Sequence, residues 1–238
     1  MRFITTLFVI GWITNVIGQE RDYDFYPTSL GSPKLSNSKQ MALERRDYLL
    51  NESKLDDTEL EEIQKLMLIE TKHTEIWKVN EINEDWYKYG ANYKVEASAE
   101  LPSLEGVLYD ASQANDLNYR TAWVVDGDGI GESITFYFKS TIPQITTVCI
   151  SNGVVNSLKL WDDHNRVKTL QLRVNGVIYG TFHLSNTRLT QYFNLNGALP
   201  KGKSNEDLEL SFEILTIYPG NRFNQTAITE IFFDGKSR

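Results

Sequence analysis

Downstream of Gly90 the chain breaks into short runs of alternating apolar and polar residues, separated by turn formers, which predicts strands rather than helices. In Leu208–Ile217, Leu208, Leu210, Phe212 and Ile214 alternate with Glu209, Ser211 and Glu213, so one strand face packs inward and the other meets solvent. Leu170–Phe182 carries a similar pattern on both sides of Asn175-Gly176, a pair suited to the positive φ angles of a type I′ hairpin turn. Further runs at Ile134–Phe138, Ile145–Ile150, Gln191–Leu195 and Ala227–Phe233, with no helical periods between them, predict an all-β antiparallel sandwich or jelly roll. Gly127, Gly129 and Gly131 flank Asp128, but no Lys-Ser/Thr follows and a β run comes next. These glycines are therefore expected to turn the backbone at positive φ rather than to cradle a phosphate.

Upstream of Gly90 the period changes. Asp56 and Glu59 form a capping-box pattern, and Leu60, Ile63 and Met67 then share one helical face. A shorter helix is predicted near Met41–Leu50. The expected organisation is a helical accessory segment at 38–90 leaning on a β-sandwich at 91–238. Residues 19–37, with Pro27, Gly31 and Pro33, read as a flexible linker. Residues 1–18 place Arg2 before the apolar stretch Phe3–Ile17, with the small Val16 and Gly18 just before Gln19, the pattern of a signal peptide. That stretch is interrupted by Thr5, Thr6, Thr14 and Asn15 and falls short of the roughly 20 apolar residues of a membrane span. The expectation is a protein secreted to the periplasm or the extracellular space, with no stable span after cleavage.

Composition narrows the function. The 238 residues are 41% hydrophobic, enough for a packed core, and carry a formal charge of −8 without a cluster of Lys or Arg. That balance argues against nucleic acid as a partner, because phosphate neutralisation needs clustered cations. Cys149 is the single cysteine, so the fold stands without an internal disulfide, and its place in Ile145–Ile150 predicts a buried structural thiol. His73, His164 and His183 lack metal-ligand spacing, no Gly-x-Ser-x-Gly element occurs, and the carboxylate pairs Asp162-Asp163 and Glu61-Glu62 are neighbours rather than convergent. These features predict a non-enzymatic protein. Asn51-Glu-Ser and Asn224-Gln-Thr are glycosylation sequons, relevant in a eukaryotic secretory pathway.

The segment Ala114–Trp123 (ANDLNYRTAW), followed by Gly127–Glu132 (GDGIGE), resembles the signature of the NADase-type glycan-binding domain, a discoidin-like, galactose-binding-like family. Trp161–Val167, Tyr218-Pro219-Gly220 and Ile228–Phe233 resemble further loops and the closing strand of that family, in the same order, so the resemblance spans about residues 93–235. Trp86-Tyr87 moves the boundary toward residue 84, and the loop between Trp123 and Gly129 is about two residues shorter than the family pattern. The resemblance implies a jelly roll that holds glycans or attaches a partner. It also implies a structural calcium ion, for which Asp116, the Asn118 backbone, Thr121 and Glu230 are the matching oxygen donors, with Leu117 standing where the family usually has glycine.

Sugar sites combine an aromatic surface with a few fixed polar groups. On that basis Trp161, Asn165, Arg166, Tyr218 and Arg222 are the candidate glycan contacts, with Asn152 and Phe223 nearby in sequence. The same residues also fit a structural role, Trp161 packing under its loop and Arg166 pairing with Asp162 or Asp163. Trp123 is expected in the core. A glycan on a cell surface is the expected partner. An exported protein bound through the helices before Gly90 and the sandwich loops is the alternative.

Overall fold

The computed structural model describes residues 22–31, 42, 45, 46, 48–50, 54–72, 79, 82–104, 106–195, 197, 199 and 206–235. The expected signal peptide lies outside them. Eleven strands follow in chain order, named β1 (Tyr23–Phe25), β2 (Ser29–Gly31), β3 (Lys94–Ala97), β4 (Trp123–Asp126), β5 (Ser133–Phe138), β6 (Ile145–Asn152), β7 (Asn165–Val174), β8 (Val177–His183), β9 (Thr190–Asn194), β10 (Leu208–Tyr218) and β11 (Gln225–Gly235). Helices α1 (Asp57–Lys72), α2 (Glu84–Gly90) and α3 (Leu158–Asp163) accompany them.

Strands β2, β9, β6, β11 and β4 form one layer, and β1, β8, β7, β10, β5 and β3 form the other. A short parallel pairing of Thr226 and Ala227 with Asn165 and Arg166 joins the layers through β11 and β7. Between them, Phe136 and Phe138 of β5 pack edge-on against Phe233 of β11 at 5.0 Å, and Phe182 of β8 meets Phe193 of β9 at 4.9 Å. This is the β-sandwich expected from the alternation, and it agrees with the discoidin-like jelly roll that the resemblance implies. In β10 the residues Leu208, Leu210, Phe212 and Ile214 are buried, as the period-two pattern requires. Asn175 and Gly176 hold φ of 48° and 78° in the β7–β8 turn, and Gly127, Gly129 and Gly131 are all at positive φ. Trp123 and Cys149 are buried at 1% exposure each.

Part of the expected linker is ordered structure, which corrects the sequence reading. β1 pairs in parallel with β8 and β2 antiparallel with β9, so residues 22–31 cap the open edge of both layers. Exposed edges template further pairing, and covering them removes that hazard. Phe25 enters the core beside Phe182 and Tyr179, while Asp24 meets His183 at 2.6 Å and Tyr26 stacks on the same imidazole at 4.6 Å. The alternation Tyr23-Asp24-Phe25 is too short to stand out as a period, so three-residue strands escape pattern reading.

The capping box is formed, with Glu59 N–H donating to Asp56 and Asp56 N–H donating to Glu59. Ile63 and Leu66 of α1 bury against Leu49, with Ala42 and Leu55 alongside, in a cluster distinct from the sandwich core. Leu60 is 47% exposed, so the apolar face of α1 is narrower than the spacing suggests. The Met67 side chain lies outside the described set. In α2, Trp86 is fully buried and packs beneath the sandwich, its ring covered by Gly90 and Gly235.

Candidate functional site

Two adjoining features carry polar groups that strand pairing does not explain. The first is a niche between the Asn115–Thr121 loop and β11. Glu230 is completely buried, and the Asn118 N–H donates to its Oε1 at 2.8 Å. Its Oε2 is buried without a partner. Asp116 lies within hydrogen-bond reach of Glu230, so burial first and the neighbouring carboxylate second hold the Glu230 pKa well above the ordinary glutamate value. The Thr121 hydroxyl stands 2.8 Å from both Asp116 Oδ2 and the Asn118 carbonyl. Leu117 occupies the left-handed region at φ 59°, a conformation that favours the glycine this residue replaces. Its side chain is partly buried against the apolar cluster that includes Tyr119, Cys149 and Phe232, which helps hold the strained turn. Asn115 pins the loop by donating to the Ile231 carbonyl at 2.8 Å.

The four expected calcium donors are thus brought to one place. Two carboxylates, a hydroxyl and a carbonyl suit a hard cation, and an orphaned buried carboxylate oxygen is the kind of group such a cation satisfies. Among the described residues no set of three or more His, Cys, Asp or Glu side chains converges, so an ion here would lean on neutral oxygens as well.

The second feature is the surface formed by α3, its exit into β7, and the β10–β11 loop. Trp161, Asn165 and Arg166 are buried at 8%, 3% and 6% exposure. The Trp161 indole N–H donates to the Asn152 carbonyl at 2.8 Å, and the Arg166 guanidinium lies 4.5 Å from the indole centroid. Arg166 donates further to the carbonyls of Trp161 and His164 at 2.9 Å and to Asn186 Oδ1 at 3.2 Å. Burial lowers its pKa from the ordinary arginine value, while Asp162 opposes that shift. Asn165 accepts from the Gly220 N–H at 2.8 Å and donates to Asn224. Asn152 grips the Val167 backbone at both its N–H and its carbonyl, and Gly153, at φ 80°, leaves the space that Trp161 and Arg166 fill. The expected sugar contacts Trp161, Asn165 and Arg166 are therefore interior struts, their hydrogen-bonding capacity turned inward. Trp161, being buried, offers no open ring face beside Tyr218.

The outer surface belongs to other side chains. The N–H groups of Asn221, Arg222 and Phe223 donate to the carbonyls of Asp162 and Asp163, fixing the β10–β11 loop on the end of α3. Phe223 is half-buried, with the His164 ring 4.8 Å away and the exposed Arg222 guanidinium 4.9 Å from its centroid. Tyr218 is half-buried, donates to the Leu184 carbonyl at 2.9 Å, and has the exposed Lys168 ammonium 5.7 Å from its ring. Sequence reading missed His164 and Lys168 as members of this face. Their proximity to the loop arises from β7–β10 register, in which Arg166 faces Tyr218 and Val167 faces Ile217, and no local motif encodes it.

No curated protein sequence matches the chain. Among solved structures, an F5/8 type C domain from Bacteroides fragilis is 16% identical at a TM-score of 0.43, covering 63% of this chain and 99% of that one. An arabinofuranosyltransferase from Mycobacteria gives 15% identity and a TM-score of 0.43, covering 62% of this chain; the chain spans 11% of that enzyme. A GH29 fucosidase of Ruminococcus gnavus in complex with fucose gives 11% identity and a TM-score of 0.39, covering 77% of this chain and 31% of that one. The family model for the NAD glycohydrolase translocation F5/8 type C domain matches residues 86–234, from the Trp86 of α2 to the end of β11. That match covers well over half of the sequence, and the chain belongs to the NAD glycohydrolase translocation F5/8 type C domain family.

Proposed function

We propose that this protein is a secreted, non-catalytic glycan-binding module whose ligand face is the α3/β10–β11 surface. The observation that carries the reading is the Phe223 ring, flanked by His164 and Arg222 on a loop anchored to α3 through three backbone hydrogen bonds. A half-exposed aromatic with polar neighbours suits the apolar face and hydroxyl rim of a pyranose, and a prefixed loop lowers the entropy cost of binding. Export is supported by the apolar stretch after Arg2. Among the described residues no helix is long and apolar enough to cross a membrane. A glycan array probed with the folded full chain tests the reading. Binding that is lost in Phe223→Ala supports it, and absence of binding to every glycan at millimolar concentration refutes it.

Calcium is part of the same proposal. Asp116, Asn118, Thr121 and Glu230 would hold the ion, which would supply the positive charge that lets Glu230 ionise while buried. Thermal unfolding with calcium and with chelator reads this directly. Saturation at 100 times the dissociation constant stabilises by about 2.7 kcal/mol, and Asp116→Asn should abolish the shift.

A second reading, a protein-interaction module, is favoured by Tyr48, Leu50 and Leu60, which the helical segment exposes at 56%, 54% and 47%. It predicts an exported partner that co-purifies with the full chain and is lost on deletion of residues 38–80.

A further inference from the structure

We infer that the ligand class for the α3/β10–β11 face is an acidic sugar, gripped through its carboxylate. The inference rests on the glycan reading above and goes beyond it in naming the chemistry. The protein carries a formal charge of −8, yet on this face two cations, Lys168 and Arg222, stand exposed. Asp163 is almost buried and pairs with Lys159 at 2.8 Å, and the Asp162 backbone carbonyl accepts from Arg166. Lys168 and Arg222 are exposed, and among the described residues neither has a carboxylate within ion-pair distance. Each instead rests on an aromatic ring, Lys168 on Tyr218 and Arg222 on Phe223.

This arrangement leaves specific donors for an anion. A guanidinium lying near an aromatic ring keeps N–H donors at its edge, and that planar fork matches the two oxygens of a carboxylate. The ring beneath limits the rotamers of Arg222, so less side-chain entropy is lost on pairing. Lys168 adds a second charge without a directional demand. The loop carrying Arg222 is already fixed by its bonds to Asp162 and Asp163, so the donors are placed before the ligand arrives. The net charge of −8 disfavours general association with an anionic glycan, so exposed cations without carboxylate partners are the favourable points of approach. A neutral sugar uses the aromatic and hydroxyl contacts but leaves both cations without partners.

The test uses the full exported chain on an array of uronic-acid and sialic-acid oligosaccharides, each printed beside its own methyl ester, followed by calorimetric titration of the best pair. The acid should bind on the order of tenfold more tightly than its ester, the scale of one charge-assisted hydrogen-bonded contact. That advantage should shrink as added salt shortens the screening length. Arg222→Gln and Lys168→Gln should each reduce acid affinity several-fold with circular dichroism unchanged, whereas Lys94→Gln, on the distant edge strand β3, should leave it as it was. Equal binding of acid and ester overturns the acidic class and leaves the glycan reading standing. Preference for sulfated over carboxylated sugars overturns the carboxylate assignment. No binding to any glycan, acidic or neutral, overturns both.

Discussion

Replacing Phe25 by alanine should unfold this protein far more readily than its place in a polar N-terminal segment suggests. Phe25 is 3% exposed, 4.8 Å from the Phe182 ring and 6.1 Å from Tyr179, on a three-residue strand held by parallel pairing to β8. Removing a buried Phe costs about 3–5 kcal/mol through lost transfer energy and an unfilled cavity. In a protein of this size that corresponds to a fall in Tm on the order of 10 °C. Gly180→Ala provides an independent perturbation of the same docking. A Cβ at Gly180 would stand 2.4 Å from the Tyr23 carbonyl and 2.6 Å from the Phe25 ring, so it must push β1 off its neighbour. Once one substitution has released the strand, the other has less to lose. The double variant should therefore be less destabilised than the sum, with a coupling of at least about 1 kcal/mol in urea unfolding. Amide exchange at Gly180–Phe182 should quicken in both single variants. A Phe25→Ala cost below about 1 kcal/mol, or strict additivity with Gly180→Ala, would show that residues 22–31 are not docked on the sandwich.

Other perturbations follow from the same geometry. Asn152→Ala strips both hydrogen bonds from the buried Val167 backbone and should cost about 2–4 kcal/mol in denaturant unfolding, with loss of sugar binding through a loosened α3 exit. Glu230→Gln keeps the shape of the niche but removes the carboxylate that an ion would need, so differential scanning calorimetry should show no calcium-dependent rise in Tm. Asp207 receives hydrogen bonds from Lys139 and Tyr93, which hold its pKa below the ordinary aspartate value. Its stabilising contribution is therefore present above the unfolded pKa and lost as pH falls through the lower folded pKa, and Asp207→Asn should flatten that acid limb in pH-dependent unfolding.

The sandwich was legible because period-two alternation and turn chemistry are local properties. Leu208–Ile214 and Asn175-Gly176 state their strand face and turn type without reference to distant residues. The convergence of Asp116, Asn118 and Thr121 on Glu230 was legible for a different reason, since the resemblance aligned them across more than a hundred residues that no spacing rule could connect. The docked N-terminal strands were not legible. Their stability comes from one core Phe and from edge pairing with β8 and β9, both consequences of where the sheet ends.

Trp161, Asn165 and Arg166 illustrate a limit of residue type as a guide to role. A Trp and an Arg in a loop motif carry the functional groups of a sugar site, but composition cannot say which way those groups point. Here β6 supplies the Asn152 carbonyl to the indole, α3 supplies carbonyls to the guanidinium, and Gly153 permits the close stack of the two. With Nε and Nη1 spent on Asn186 and on the carbonyls of Trp161 and His164, and its face over the indole, Arg166 has little to offer a ligand. Its contribution is to stiffen the junction between α3 and β7, on which the backbone of Asn221–Phe223 rests. The residues able to meet a ligand are then those one step outward, Arg222 and Phe223 on the loop, His164 at the end of α3, and Lys168 where β7 emerges beside Tyr218. A substitution at Arg166 should therefore weaken binding and stability together, whereas Arg222→Gln should weaken binding alone. Comparing sugar affinity with urea midpoint across the two variants separates a strut from a contact, and parallel loss of both properties in Arg222→Gln would refute the assignment.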